Sequence, residues 1–240
     1  MKGCLQKMRI DIATLFPEMC ETVLSESVIG RARQAGKIQA HCHNIRNFAN
    51  NKHNRVDDAP YGGGHGMVMQ AEPIALCIEH IEKEVGEKPH IIFMSAAGKP
   101  FTQEKAKELS RKQNIAIVCG HYEGIDERVA NAFADEELSL GDYVITGGEL
   151  AALVVADSVF RMCEGVLASE EGYTEESHYN GLLEYPHYTR PEEWRGATVP
   201  AVLLSGHKAN IDAWRIEQAI LRTKKQRPDL YRKWNKQNKK

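Results

Sequence analysis

LSLGDYVITGGELAALVVADSVF, residues 138–160, combines three patterns in one stretch. Its first part, Leu138–Ile145, is apolar and β-branched and predicts a short extended segment. Its last part, Leu150–Phe160, is continuously apolar and predicts a buried helix. Between them, Gly147 and Gly148 let the backbone approach a ligand closely. A strand, a loop and a helix in this order are typical of an α/β domain.

The chain before this stretch repeats the same order. The predicted strands are Arg9–Phe16, Ile38–Ile45, His90–Ser95 and Ile115–Cys119. The predicted helices are Glu18–Gln34, Ala71–Glu84, one beginning near Thr102, and Ile125–Phe133. Residues 46–69 form a long glycine-rich loop. Because several strands are apolar throughout, we expect a mostly parallel sheet covered on both faces.

The chain changes character after Arg161. It has no Lys or Arg until Arg190, but six glutamates. This composition predicts an acidic, flexible linker over residues 162–180, between an α/β domain at 1–161 and a small α-helical domain at 181–240. Helical spacing in the last of these covers Ser205–Arg222.

Charge and cysteine content restrict the class of protein. The formal net charge is −2, yet residues 222–240 contain nine Lys or Arg and one acid, Asp229. Such a basic segment favours nucleic acid as a partner, although a solvated terminus explains it equally well. The six cysteines include no Cys-x-x-Cys pair, and neither a signal peptide nor a membrane span is recognisable. We therefore expect a cytoplasmic protein with free thiols and no membrane partner.

Three glycine-bearing loops follow predicted strands: Ser95–Gly98, Gly120–Gly124 and Ser139–Glu149. Ligands of parallel α/β sheets bind beyond the carboxyl ends of the strands, so these loops predict one shared pocket. A pocket lined by main chain suits a heteroaromatic ring and a ribose. The Gly-x-Gly-x-x-Gly and P-loop signatures are absent, which argues against a Rossmann dehydrogenase or a P-loop NTPase.

Four motifs carry a resemblance to a known family. They are DDAPYGGGHGM (57–67), GHYEGIDERV (120–129), LSLGDYVITGGEL (138–150) and LLEYPHYTRP (182–191). In this order they resemble the bacterial tRNA (guanine-N1)-methyltransferases, which methylate the guanine 3′ of the anticodon. The resemblance runs from Arg9 to about Leu230. It implies the knotted SPOUT-type fold with a deep trefoil knot, which is very rare among proteins, and a homodimer whose site is shared between chains.

The resemblance also implies a cofactor, S-adenosylmethionine, held in a bent shape by the three loops. The residues that match the family's cofactor positions are Gly120, Leu140, Gly141, Asp142, Tyr143, Val144 and Ile145. Those expected to complete the pocket are Ser95, Tyr122, Glu123, Gly147 and Gly148.

Methylation of guanine N1 requires a base and a charge stabiliser. N1 carries a proton at neutral pH, and its removal spreads negative charge onto O6. The resemblance assigns the stabiliser to Arg161 and the base to Glu176, where the family carries an aspartate. The longer side chain changes the reach by about 1 Å. Glu175 is the second candidate for the base.

No metal ligand is assigned from the sequence. His41 and His43 share one face of a predicted strand, but no second pair of ligands is apparent. The family's activity benefits from Mg²⁺, for which Glu123 is the candidate ligand by resemblance only. Basic residues are available to hold tRNA phosphates: Arg190, Lys208, Arg215, Arg222, Lys224, Lys225 and Arg227.

Two other functions stay open at this point. Another knotted RNA methyltransferase would modify a ribose 2′-OH, and the first and last motifs argue against it. The second alternative is a non-catalytic RNA-binding module. The only residue that favours it is the glutamate at position 176.

Overall fold

Seven strands and six α-helices make up the first part of the chain in the computed structural model, which describes residues 7–169 and 171–238. The strands are β1 (Arg9–Thr14), β2 (Gln39–Asn44), β3 (Asp57–Asp58), β4 (Val68–Met69), β5 (His90–Pro100), β6 (Asn114–Cys119) and β7 (Glu136–Ser139). The helices are α1 (Pro17–Leu24), α2 (Ser27–Gln34), α3 (Ala71–Val85), α4 (Gln103–Leu109), α5 (Glu127–Phe133) and α6 (Glu149–Phe160).

Five of these strands form one sheet in the order β2-β1-β6-β5-β7. Every neighbouring pair is parallel. The central strand β6 is buried along its whole length. The expected α/β fold with a parallel sheet is therefore confirmed.

Side chains on the two faces of the sheet build two apolar cores. Ile115 and Ile117 of β6 belong to a core that also contains residues of α1, α2, α4 and α6. Ala116 and Val118 point the other way, into a core with residues of α3 and α5. Because successive strand residues face opposite sides, a strand buried on both sides must be apolar throughout.

The predicted helix Glu18–Gln34 is wrong as a single element, since the chain forms α1 and α2 with a turn at Ser25–Glu26. Gly30 permits this turn. A Cβ on Gly30 would lie 2.0 Å from the carbonyl oxygen of Ser25. The missing side chain thus lets the end of α1 pack directly against α2.

The predicted extended segment Leu138–Ile145 is also wrong beyond Ser139, where β7 ends. The Ser139 hydroxyl accepts a hydrogen bond from Gly141 N at 3.2 Å, which turns the backbone out of the strand. Gly141 has φ +153°, a conformation that L side chains rarely adopt.

Strand β5 extends past the predicted Ser95 to Pro100. Its pairing with β7 shifts register between Met94 and Lys99, both of which pair with Leu138. Residues 95–98 therefore bulge out of the ladder, as residues next to functional sites often do.

The predicted loop 46–69 contains some regular structure. A 3-10 helix spans Ile45–Phe48, and β3 pairs with β4 in a short antiparallel ladder. Met69 N donates to Gly124 O at 2.9 Å, so the end of this segment docks on the loop after β6.

The chain divides into two compact units, Met1–Ser169 and Glu170–Lys240. The elements of the second unit are α7 (Glu171–Thr174), β8 (Glu193–Trp194), β9 (Ala197–Thr198), α8 (Ala201–Leu204), α9 (Lys208–Gln226) and α10 (Pro228–Asn238). The predicted helix Ser205–Arg222 corresponds to α9. The buried Thr223 hydroxyl accepts from Leu183 N at 2.8 Å and donates to Ala219 O at 2.6 Å, which ties a loop to α9.

Two further expectations concern thiols and membranes. Cys20, Cys42, Cys77, Cys119 and Cys163 are free, and Cys4 lies outside the described residues. Among the described helices, none combines the length and apolar character needed to cross a bilayer.

Candidate cofactor site

A cavity of about 380 Å³ lies at the carboxyl ends of β5, β6 and β7. The three glycine-bearing loops predicted from the sequence all line it. The first segment is the bulge in β5 and the other two follow β6 and β7, so the parallel topology brings their residues together at one edge of the sheet. The volume falls in the range typical of small-molecule sites.

Gly147 and Gly148 bring the loop after β7 against the end of β6. Gly148 N donates to Gly120 O at 2.8 Å. A Cβ on Gly148 would lie 2.8 Å from Cys119 Cα, and one on Gly147 would lie 2.5 Å from His121 Nδ1. At position 148 only glycine permits this approach, because the backbone atoms of Cys119 and Gly120 cannot move aside as a flexible side chain can.

The loop after β7 exposes large apolar side chains to solvent. Val144 is 86% exposed, and Tyr143 and Ile145 are exposed as well. All three line the cavity. Exposed apolar groups at the mouth of a cavity are surface that a bound ligand can cover.

Glu149 fixes the far end of this loop, at the first position of α6. Its carboxylate is almost fully buried and accepts a hydrogen bond from the Thr14 hydroxyl at 2.8 Å. This pair joins β1 to the cavity wall across 135 residues of sequence. Sequence reasoning missed it, since nothing local to either residue indicates the other.

His121 and Tyr122 form the wall on the β6 side. Tyr122 has φ 58°, an uncommon backbone conformation for a residue with a side chain. The buried Nδ1 of His121 has no hydrogen-bond partner within residues 7–169 and 171–238. The sequence assigns no chemistry to His121. Only the structure shows that one of its ring nitrogens is buried without a partner, which sets this residue apart from an ordinary wall residue.

Glu123 connects the cavity to the loop of the first motif. Its side chain packs on Gly66, whose Cβ would lie 2.4 Å from the Glu123 carboxylate. Glu123 N also donates to Met67 O at 3.0 Å. The glycine at position 66 therefore allows Glu123 to reach the edge of the cavity.

Two ionisable groups beside the cavity are locked in one state. Burial raises the pKa of the Cys119 thiol well above its usual value, so this cysteine is an inert core residue. Hydrogen bonds from Arg128 lower the pKa of Asp126 to about 2. Asp126 also caps α5, because its carboxylate accepts from Arg128 N at 2.9 Å.

The structure brings most of the predicted cofactor residues together. Ten of them line the cavity: Ser95, Gly120, Tyr122, Glu123, Leu140, Tyr143, Val144, Ile145, Gly147 and Gly148. Gly141 and Asp142 are absent from the lining. They form the turn at which Tyr143 N donates to Gly141 O.

The two predicted catalytic residues lie elsewhere. Arg161 caps the C-terminal end of α6 and lines a second cavity with residues of α1 and α2, including Val23. Glu176 belongs to the second unit and is half-buried, whereas Glu175 is exposed. Both glutamates line a third cavity together with Arg215, whose guanidinium lies 4.9 Å from the centre of the Tyr185 ring.

Similarity to known proteins covers nearly the whole chain. The family described as tRNA (Guanine-1)-methyltransferase TrmD matches residues 8–233. Three curated relatives carry the name tRNA (guanine-N(1)-)-methyltransferase. That of Ruminiclostridium cellulolyticum is 51% identical over 96% of this chain and 99% of its own length. That of Desulforamulus reducens is 54% identical over 93% and 88%, and that of Staphylococcus aureus strain JH9 is 50% identical over 95% and 92%. The chain belongs to the tRNA (guanine-1)-methyltransferase TrmD family.

Proposed function

We propose that this protein transfers a methyl group from S-adenosylmethionine to N1 of a guanine in tRNA, namely the guanine next to the anticodon. The observation that carries the proposal is the family match over residues 8–233. The cavity formed by the three loops provides a place for the methyl donor. Bound there, S-adenosylmethionine supplies an electrophilic methyl group on a positively charged sulfur.

The residues around the cavity fit this cofactor. Gly120, Gly147 and Gly148 line the cavity, so main chain there can offer polar groups to the adenine edge and the ribose. The apolar side chains of Leu140 and Ile145 can pack on the adenine ring. The turn at Gly141 and Asp142 acts by shaping the loop rather than by lining the cavity.

A trefoil knot is supported by the path of the chain after β7. This strand is at the edge of the sheet, two places from β6. The chain nevertheless returns to the end of β6, where Gly148 packs on Cys119 and Gly120. It then enters α6, whose buried residues share a core with those of α1 and α4. To reach the end of β6 from β7, the chain must pass β5, which lies between them. A knot needs a crossing of this kind, so that a later segment can thread through an earlier loop.

In the proposed mechanism, the Glu176 carboxylate accepts the proton of guanine N1. Loss of this proton leaves the N1 lone pair available to the methyl group that S-adenosylmethionine would supply. The Arg161 guanidinium stabilises the negative charge that develops at O6. Glu176 is chosen over Glu175 because it stands at the position where the family carries an aspartate.

A homodimer would explain why Arg161 lines a cavity other than that of the cofactor. Helices α1 and α6 expose large apolar side chains, among them Val23, which lines the Arg161 cavity, and Leu150 and Val154 of α6. Such a patch is typical of a surface that a partner covers. A second chain that covers it would contribute to a site shared between the two chains.

The second unit supplies the basic residues proposed to hold tRNA. Lys208, Arg222, Lys224, Lys225 and Arg227 are exposed on or next to α9. An anticodon loop presents partly unstacked bases, so extrusion of one guanine costs less than from a duplex.

We assign the Mg²⁺ site to Glu123, which lines the edge of the cavity. We also propose that the protein is cytoplasmic.

The guanine-N1 and ribose 2′-O functions differ in which atom receives the methyl group, and a non-catalytic module methylates neither. Purified chain would be incubated with S-adenosylmethionine and tRNA carrying guanine, or adenine, next to the anticodon. Mass spectrometry of the digested tRNA should find N1-methylguanosine only with the guanine substrate. A 2′-O-methylated nucleoside would establish the ribose methyltransferase, and no methylation would favour the non-catalytic module.

A further inference from the structure

Two histidines and a glutamate lie together at the edge of the sheet. His43 is on β2, the edge strand, and His80 and Glu84 are four residues apart on α3. One ligand atom from each residue lies within 4.8 Å of the other two. None of the three lines the cofactor cavity, so they form a separate cluster.

This cluster completes a pattern that the sequence leaves incomplete. His41 and His43 alone provide too few ligands for a metal. Helix α3 supplies the missing pair, because residues four apart lie one turn above each other on the same face. The distance between His80 Nε2 and Glu84 Oε1 is 3.2 Å. Two ligands of a tetrahedral Zn²⁺ with bonds of about 2.0–2.1 Å are separated by about 3.3 Å, so this pair already has the required spacing.

Asp11 orients the third ligand. This fully buried carboxylate lies 2.7 Å from His43 Nε2 and also binds Arg9 at 2.7 Å. An ionised Asp11 holds the proton of the imidazole on Nε2 and leaves Nδ1 with a lone pair for a metal. A carboxylate behind a ligating histidine is the usual outer arrangement at zinc sites.

The charges around the cluster favour a cation. Arg9 contributes one positive charge, and Asp11 and Glu84 contribute two negative charges. Arg9 also lies 3.0 Å from Glu84 Oε2, which leaves Oε1 as the oxygen directed at His80. Arg9, Asp11 and Glu84 together carry one net negative charge.

We propose that His43, His80 and Glu84 bind a divalent transition-metal ion of the Zn²⁺ class. Two imidazole nitrogens and one carboxylate oxygen are the ligands that such ions prefer, and they leave one position for water. An ion can enter from solvent, since the side chains of His80 and Glu84 are 42% and 44% exposed. The bound ion joins the edge strand β2 to helix α3.

Calorimetric titration of the EDTA-stripped protein with ZnCl₂ tests this site. The parent should bind one equivalent of Zn²⁺, and Zn²⁺ should raise its melting temperature. His80→Ala and Glu84→Gln should each lower the affinity at least about tenfold. Both substituted side chains are exposed, so both variants should fold. The matched control is His53→Ala, which removes an exposed loop imidazole and should bind Zn²⁺ as the parent does.

A second readout identifies the ligands by spectroscopy. Co²⁺ in place of Zn²⁺ should give the visible absorption of a four-coordinate ion in the parent and in His53→Ala, and lose it in His80→Ala. Methyl transfer by stripped His80→Ala should equal that of the stripped parent, because the cluster is separate from the cofactor cavity. Equal Zn²⁺ affinity in the parent, His80→Ala and Glu84→Gln would overturn the proposal, as would the absence of Zn²⁺ binding.

Discussion

The cofactor cavity and the pair Arg161 and Glu176 are built in opposite ways. The cavity is made within one unit by three segments of the same sheet, and the close packing of Gly148 on backbone atoms helps to fix its shape. The proposed catalytic pair consists of two side chains that line different cavities, in different units of the chain. Binding of the methyl donor should therefore depend on one folded unit, whereas methyl transfer should require tRNA and both units.

The largest effect is expected from Glu176→Gln. Loss of a general base typically costs 10²- to 10⁴-fold, so methyl transfer should fall by about that factor. The affinity for S-adenosylmethionine should not change, because Glu176 does not line its cavity. Single-turnover rates and calorimetry measure the two quantities on one preparation. Glu175→Gln is the matched control, and a full rate in Glu176→Gln would remove this residue from the mechanism.

Arg161→Gln should reduce the rate by roughly 10²- to 10³-fold, as removal of one donor to a developing oxyanion does elsewhere. Donor affinity should again be retained. Arg111→Gln, which removes an exposed arginine of the same unit, serves as the control. If both variants slowed the reaction equally, general loss of positive charge would explain the result better than a role at O6.

Gly148→Ala tests the cofactor cavity, because it alters the cavity wall and leaves Arg161 and Glu176 intact. The new Cβ would lie 2.8 Å from Cys119 Cα. Overpacking of this kind costs about 1–3 kcal/mol, which corresponds to a loss of donor affinity of roughly 5- to 150-fold. Gly196→Ala in the second unit is the control. Its φ of +81° strains an alanine locally, but the new Cβ meets nothing within 4 Å and lies outside the cavity. Parent-like affinity in Gly148→Ala would show that the close approach is not needed.

The smallest effect is expected from Lys225→Gln in the second unit. Loss of one phosphate contact should weaken tRNA binding modestly and reduce the slope of log affinity against log salt by about 1. Donor affinity and the rate at saturating tRNA should stay the same. Binding titrations at several salt concentrations measure the slope, and Lys52→Gln in the first unit is the control. An unchanged slope would exclude Lys225 from the tRNA interface.

The sequence predicts those parts of the molecule that depend on local pattern. Buried strands such as Ile115–Cys119 follow from a continuous apolar run, and the glycine loops follow from the need for main chain near a ligand. The parallel sheet then places the loops at one edge. For this reason ten of the twelve predicted cofactor residues line one cavity.

Contacts between distant segments could not be predicted in this way. The bond from Thr14 to Glu149 depends on how elements 135 residues apart meet in the fold. The same is true of His43 with His80 and Glu84, since β2 and α3 are separated in sequence and only their packing brings the ligands together. The roles of Arg161 and Glu176 rest on family resemblance and stay predictions.

Amide hydrogen exchange with and without S-adenosylmethionine is the most direct test of the claim that the three loops hold the cofactor. We expect slower exchange in residues 95–98, 120–124 and 139–149 of the first unit when the cofactor is bound. We expect no change around Glu176 in the absence of tRNA. Protection confined to other segments, or no protection in the loops at saturating cofactor, would show that the three loops do not hold the cofactor.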